Sequence, residues 1–230
     1  MDNTARMIRL LGRLRREMNG AVVDSMRYYG KDYGLNYGVS IPTIRAIARA
    51  EGCDDSLARY LYLQQVRELR LAALHIADPA LLSSDQAGFW AEGIINSEVA
   101  EEAAFAFLSR AAALPEIFEA WCDCDANDGG ADAAAQSVSH GELLAYAALM
   151  AGARARMMQR MSGAGASAVR AVTRYPESHI VACGAAALLG GALDAGDVTP
   201  ERASDLLSSM PDGAAKRYVA DEISWRMEEA

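Results

Sequence analysis

The stretch from Gly38 to Pro79 constrains the fold more than any other part of the chain. It holds three helical patterns in a row, each with one apolar stripe. Ser40 is the natural N-cap of the first, because its hydroxyl can accept from the open amides of the first turn. Pro42 suits that same turn. Val39 is placed to staple onto Ile44. Ile41, Ile44, Ile47 and Ala48 recur at helical spacing, and Gly52 ends the pattern. Asp54 caps a short second helix whose inner face carries Leu57, Leu61 and Tyr60. In the third, Arg67 to Ala77, the spacing predicts Leu71, Leu74 and Ile76 inside and charge on the other side. Helix sets of roughly 40 residues that stack on their neighbours build HEAT-type solenoids.

The remainder of the chain reads the same way. Much of its 52% hydrophobic content is alanine. Small side chains suit closely packed helices, and there are no long alternating Val/Ile/Thr runs to make strands. The expected architecture is all-α: a HEAT-like-repeat α-solenoid of antiparallel helix pairs with a concave groove. It is expected to form a single domain over residues 1–230, with a flexible joint near 126–130 at Asn127-Asp128-Gly129-Gly130. A first helix is predicted from a Thr4 cap to Glu17, apolar on Met7, Ile8, Leu11 and Leu14. Arg6, Arg9, Arg13, Arg15 and Arg16 make it basic, which suits either a solvated face or an arm for DNA or a partner. Tyr28 to Gly38 is a loop with four tyrosines. They could stack on bases, but covering the end of a core is the commoner use.

Further on, Ser84-Asp85 is expected to cap a helix through Ile95, with Phe89, Trp90 and Ile94 inward. Ser97 is expected to cap a helix from Glu98 to about Ala112. Pro115 opens another, with Ile117, Phe118 and Trp121 buried. Helices follow at about 131–138, 141–151, 153–161, 166–174, 178–193, 200–209 and 213–228. The 153–161 helix would carry Arg154, Arg156 and Arg160 on a charged back, with a methionine stripe inside.

Net charge is −9 but uneven. Residues 1–50 carry +5, residues 51–150 carry −13 and residues 151–230 carry −1. DNA binding through phosphates needs a positive surface, so the acidic middle opposes DNA lying across it and suits a basic protein partner. The four cysteines form no spaced framework, and the N-terminus lacks a signal-peptide pattern. A cytoplasmic protein with reduced thiols is expected. The longest uncharged run, about Ser178 to Leu193, is too short for a membrane span. Cys122-Asp123-Cys124-Asp125 reads as an acidic helix end, because structural zinc wants a second Cys/His pair. No metal or cofactor is expected. No phosphate-loop, dinucleotide or nucleophile-elbow motif is present. His75, His140 and His179 read as isolated, with no Ser or Cys partner to be argued.

The motifs of the first half also carry a family resemblance. Gly38-Val39-x-x-Pro42-x-Ile44-Arg45, Leu57-Ala58-x-x-Leu61 and Glu68-x-Arg70-x-Ala72 resemble the amino-terminal half of AlkD-type DNA alkylation-repair glycosylases. The likeness runs from about Tyr28 to Trp90 and returns in the last helix, Ala215 to Ile223. It implies an all-helical HEAT-like fold and excision of cationic alkylated purines from double-stranded DNA. It also implies one carboxylate that stabilises the sugar cation and positions water, with tryptophans flanking the damaged nucleotide.

Counting forward from Trp90 puts Ser97 at a tryptophan of that site and Glu101 at its carboxylate, with Glu98 one turn before. Glutamate keeps the charge but moves it by about a bond length, a displacement that active sites feel. Leu143 to Ala148 carries no arginine where the family has one after an aromatic. Arg45, Arg49, Arg154, Arg156 and Arg160 are the candidate phosphate contacts. The reading is a DNA alkylation-repair-like protein, diverged or catalytically degenerate. If active, it is an alkylpurine glycosylase with Glu101 or Glu98 as the carboxylate. The alternative is a non-enzymatic repeat scaffold for protein or nucleic acid.

Overall fold

A computed structural model describes residues 2–28, 33–124 and 138–229. The expected joint at 126–130 and all but the last residue of the expected helix at 131–138 lie outside the described residues. Among those described, every regular element is helical, and the sole β feature is an isolated parallel bridge between Leu35 and Val66. None of the described helices is long and apolar enough to cross a membrane. The chain divides into two compact units, Met1–Leu81 and Leu82–Ala230.

In the first unit, α1 (Asn3–Arg15), α2 (Gly20–Tyr28), α3 (Ile41–Arg49), α4 (Asp55–Tyr62) and α5 (Arg67–Ile76) follow in order. The caps at Ser40 and Asp54 form as read: Ser40 Oγ accepts from Thr43 N at 3.3 Å and Asp54 Oδ1 from Leu57 N at 3.0 Å. Asp2, not Thr4, caps α1, since its carboxylate reaches the Thr4 amide. The buried side of α1 is Leu10 and Leu14, and Ile8 stands 61% exposed. Part of the basic character of α1 is spent inside the unit. Arg6 pairs with Asp54, and Arg13 Nη1 lies 3.3 Å from Glu51.

The charged start of α5 departs from expectation. Arg67 and Glu68 are buried, at 2% and 0% exposure. Arg67 Nη1 donates to Glu68 Oε1 at 3.0 Å and to the Val39 carbonyl at 2.9 Å. Glu68 accepts from the Tyr37 amide at 3.2 Å and the Val39 amide at 3.3 Å. The guanidinium also sits 5.7 Å from the Tyr33 ring centroid. Neutralised by each other, the two charges clamp the loop that enters α3. Gly38 within that loop has φ +69°, and a Cβ there would lie 2.2 Å from the Asn19 carbonyl oxygen. Only glycine fits.

The first unit closes on a 3-10 turn at Pro79–Leu81, and the second begins with another at Ser84–Gln86. The helix expected from Ser84-Asp85 is thus delayed to α6 (Ala87–Glu92). Trp90 and Ile94 are buried, and Phe89 is half-buried. α7 (Ser97–Glu102) is capped one residue earlier than read, by Asn96 Oδ1 on the Val99 amide at 3.1 Å. It widens into a π-helical turn at Ala103–Phe107 and tightens into a 3-10 turn at Leu108–Arg110, so no single helix reaches Ala112.

Then come α8 (Leu114–Cys122), α9 (His140–Arg154), α10 (Met157–Arg160), α11 (Ala164–Arg174), α12 (His179–Asp194), α13 (Pro200–Ser208) and α14 (Ala214–Glu229). Arg156 takes φ +53° between α9 and α10. This left-handed residue breaks the helix expected at 153–161, so Arg154, Arg156 and Arg160 do not share one helix.

Within this unit α7, α9, α12 and α14 pack side by side and run the same way. Glu101 meets Tyr146 and Phe105 meets Arg154, in ascending order on both elements. Gly184 faces Tyr146 and Leu149, and Leu188 faces Gly152. On the next pair, His179 meets Tyr218 and Asp194 meets Arg226. α8, α11 and α13 form a second layer behind them. Short turns join α11 to α12 and α13 to α14, which makes each an antiparallel pair.

Breaking a buried ion pair strands a charge and costs about 3–5 kcal/mol. Glu68→Ala should therefore lower the unfolding free energy from urea titration by an amount in that range. Replacing Arg67 and Glu68 together by methionine should cost less than the single change, because no charge is then left buried.

Candidate functional site

Glu101 lies half-buried on α7, in the acidic first turns of that helix. Its Oε1 accepts a hydrogen bond from the Tyr146 hydroxyl at 2.8 Å. Tyr146 projects from the middle of α9, a helix otherwise lined with alanine and leucine, and is 7% exposed. Burial first, and then the Glu101 carboxylate, push its phenol above the ordinary value of 10. Tyr146 therefore stays a neutral donor to Glu101 through the physiological range.

The row continues across α12 to α14. A Cβ on Gly184 would lie 2.9 Å from Leu149 Cβ and 3.2 Å from the Tyr146 ring. The missing side chain lets α12 approach and seats the ring. Beside it, Cys183 Sγ lies 3.7 Å from His179 Nε2, one turn away on the same helix. The His179 ring stands edge-on to Tyr218 on α14, with centroids 4.9 Å apart. A hydrogen bond to Cys183 is the main cause that pushes the Tyr218 phenol up to about 12. His179 therefore does have a cysteine partner, contrary to the reading from sequence. The signal was present as a His and a Cys four residues apart on one helix.

The other candidates are more scattered. Glu98 is half-buried on the first turn of α7, and Glu102 is buried at 5% exposure. Arg45 and Arg49 sit one turn apart on α3 in the first unit, with Arg49 exposed. Arg154 ends α9 with its guanidinium 5.5 Å from the Phe105 ring centroid. Arg156 grips Asp197, donating from Nε at 3.0 Å, and Asp197 holds the guanidinium still more firmly protonated. Arg160 is exposed at the end of α10. Cys122 is buried, which pushes its thiol well up, and Asp123 pairs with Arg170 at 2.8 Å. No group of three or more potential metal ligands occurs among the described residues.

The sequence model of the DNA alkylation repair enzyme family matches residues 10–127, just over half of the chain. The chain belongs to that family. The match contains Glu98 and Glu101 and stops short of Tyr146, Cys183 and Tyr218. A search of curated proteins by sequence finds no match. Among solved structures, the chain is similar to one from "a new family of proteins related to the HEAT-like repeat DNA glycosylases with affinity for branched DNA structures". The TM-score is 0.67 at 14% identity, covering 98% of this chain and 95% of that one. At that identity the likeness establishes the fold, which is HEAT-like, as expected for this family.

Tyr62 is pushed up by burial alongside Tyr146 and Tyr218. Below pH 10 these phenols are protonated in folded and unfolded chains alike, and their contribution is complete. Above it the unfolded chain releases protons that the folded chain keeps, so stability falls as pH rises. Tyr146→Phe should flatten that fall in urea titrations carried through pH 10. It should also remove one late-rising phenolate from the ultraviolet absorbance of the folded protein.

Proposed function

We propose that this member of the DNA alkylation repair family binds DNA by its structure and performs little or no excision of alkylated purines. The hydrogen bond from Tyr146 to Glu101 carries the reading. A glycosylase of this kind needs an accessible, fully charged carboxylate against the developing sugar cation. Here one carboxylate oxygen is already engaged by the buried Tyr146 hydroxyl, so it is not open to face a sugar. The longer glutamate side chain also displaces the group, and a shift near 1 Å can cost about a hundredfold in rate. Ser97, in place of an aromatic wall, removes a surface on which a nucleotide could stack.

DNA affinity is supported by family membership and by what is said of the structural neighbour, which has affinity for branched DNA. The positive charge of residues 1–50 is where phosphates would be met. On this reading Arg45 and Arg49 serve as phosphate contacts, with Arg154 and Arg160 in the second unit. Arg156 contributes least, because Asp197 already occupies it.

The test pairs two measurements on the full chain. One is base release from duplex DNA carrying methylated purines. The other is binding to plain duplex and to a four-way junction over a range of salt. The expected result is salt-dependent binding that is tighter on the junction, with no release. Arg49→Ala should lower the slope of log affinity against log salt by about 0.9. Release that disappears in Glu101→Gln would overturn the proposal and make the chain a diverged glycosylase. Absence of both binding and release would leave a scaffold for another macromolecule.

A further inference from the structure

We propose that Cys183 is an alkyl acceptor: its sulfur takes the alkyl group from a cationic N-alkylated purine held in bound DNA. The inference rests on the DNA-binding reading above.

Cys183 differs from a structural thiol in its surroundings. It is half-buried rather than enclosed, and a histidine one turn away on α12 lies against its sulfur. His179 Nε2 lies 3.7 Å from Sγ and is placed to receive the thiol proton. The Tyr218 ring stands edge-on to the imidazole, with centroids 4.9 Å apart, and fixes it beside the sulfur. A thiol beside a positioned base is the arrangement that makes sulfur nucleophilic. His179 is itself exposed, so the proton can pass on to water. Cys122 shows the opposite case, fully buried with its thiol pushed up by desolvation.

The position also suits the substrate. Cys183 adjoins Gly184, against which the Tyr146 ring packs, and Tyr146 in turn holds Glu101. The thiol therefore stands on the same row of parallel helices as the acidic residue at the family's carboxylate position. A purine cation attracted to that carboxylate would bring its alkyl carbon towards a soft nucleophile.

The reaction needs no further reagent. His179 removes the Cys183 proton. The thiolate attacks the alkyl carbon, forming an S–C bond as the C–N bond breaks. The electron pair of that bond returns to the ring nitrogen and cancels its positive charge. The products are an unmodified purine, still attached to its sugar, and one S-alkyl cysteine, so each protein molecule acts once. Such direct reversal leaves the glycosidic bond untouched. It therefore needs no carboxylate poised against a developing sugar cation and no aromatic wall.

The full-length protein is incubated with methylated duplex DNA, and its peptides are analysed by mass spectrometry, with DNA binding measured on the same samples. The expected result is a methyl group on the Cys183 peptide, none on the exposed Cys53, and loss of an equal amount of methylpurine without abasic sites. Cys183→Ser should abolish the transfer. His179→Gln should slow it by about a hundredfold, the scale of a positioned base, at unchanged melting temperature. The same variants are also tested with iodoacetamide, which reads thiol activation without DNA. Binding without methyl transfer, transfer to Cys53 as readily as to Cys183, or indifference to His179→Gln would each overturn the proposal. Failure to bind DNA would instead be the failure of the reading it rests on.

Discussion

The close approach of α9 and α12 is the constraint on which the second unit depends. These two helices meet through alanine and glycine, and at Gly184 the spacing leaves no room for a side chain. Helices this near bury surface on all sides, and that is why their faces are apolar almost throughout. α12 carries Val181, Ala182, Ala185, Leu188 and Leu189 in the interior, and α9 carries Ala145, Ala147, Ala148, Leu149 and Ala151. Against this background a polar residue on the shared surface has few places to go. Tyr146 can be accommodated only because its ring lies over Gly184 and its hydroxyl finds Glu101. The site is thus a consequence of the packing: small residues bring the helices together, and the few polar groups between them must satisfy one another.

The first unit solves a different problem by a different route. Its loop from Tyr33 to Val39 runs beside the helices rather than within them, so its amides need partners from outside. Glu68 supplies them, and Arg67 compensates the charge that Glu68 would otherwise bury alone. Such pairs are weak contributors to stability when set against apolar replacements, yet costly to break. Their value here is positional. The pair fixes where α3 begins, and with it the face that carries Arg45 and Arg49. Gly38 completes the arrangement by taking a left-handed conformation close to the Asn19 carbonyl.

Much of this was legible in the sequence where the signal was local. Ser40, Asp54 and Pro42 declare their helix starts because a cap and its amide lie within one turn of each other. Ile44, Ile47, Leu57, Leu61, Leu71 and Leu74 declare the core by spacing. What the sequence hid were contacts closed across long stretches of chain. Glu68 binds an amide 31 residues earlier, and Tyr146 binds a carboxylate 45 residues earlier. Nothing in the neighbourhood of either residue distinguishes a buried partner from a solvated one. The break at Arg156 was hidden for another reason: no glycine or proline marks it, and the residue takes its left-handed conformation where it pairs with Asp197. Counting along a family pattern leads to Glu101, but it could not supply the Tyr146 hydroxyl that the fold closes onto it.

The row of polar groups in the second unit bears on how such a fold changes its chemistry. α7, α9, α12 and α14 run in parallel, and each contributes one or two polar side chains: Glu101, then Tyr146, then His179 and Cys183, then Tyr218. Neighbouring helices couple through these contacts, while the core behind them is apolar and indifferent to their identity. A substitution at the exposed His179 therefore alters charge at the surface without touching the apolar contacts between α9 and α12. The family match ends after α8, so it covers the carboxylate and leaves out every partner that surrounds it. The phenol that engages Glu101 and the thiol on the neighbouring helix belong to the part of the chain beyond that match, so the surroundings of the carboxylate are set there.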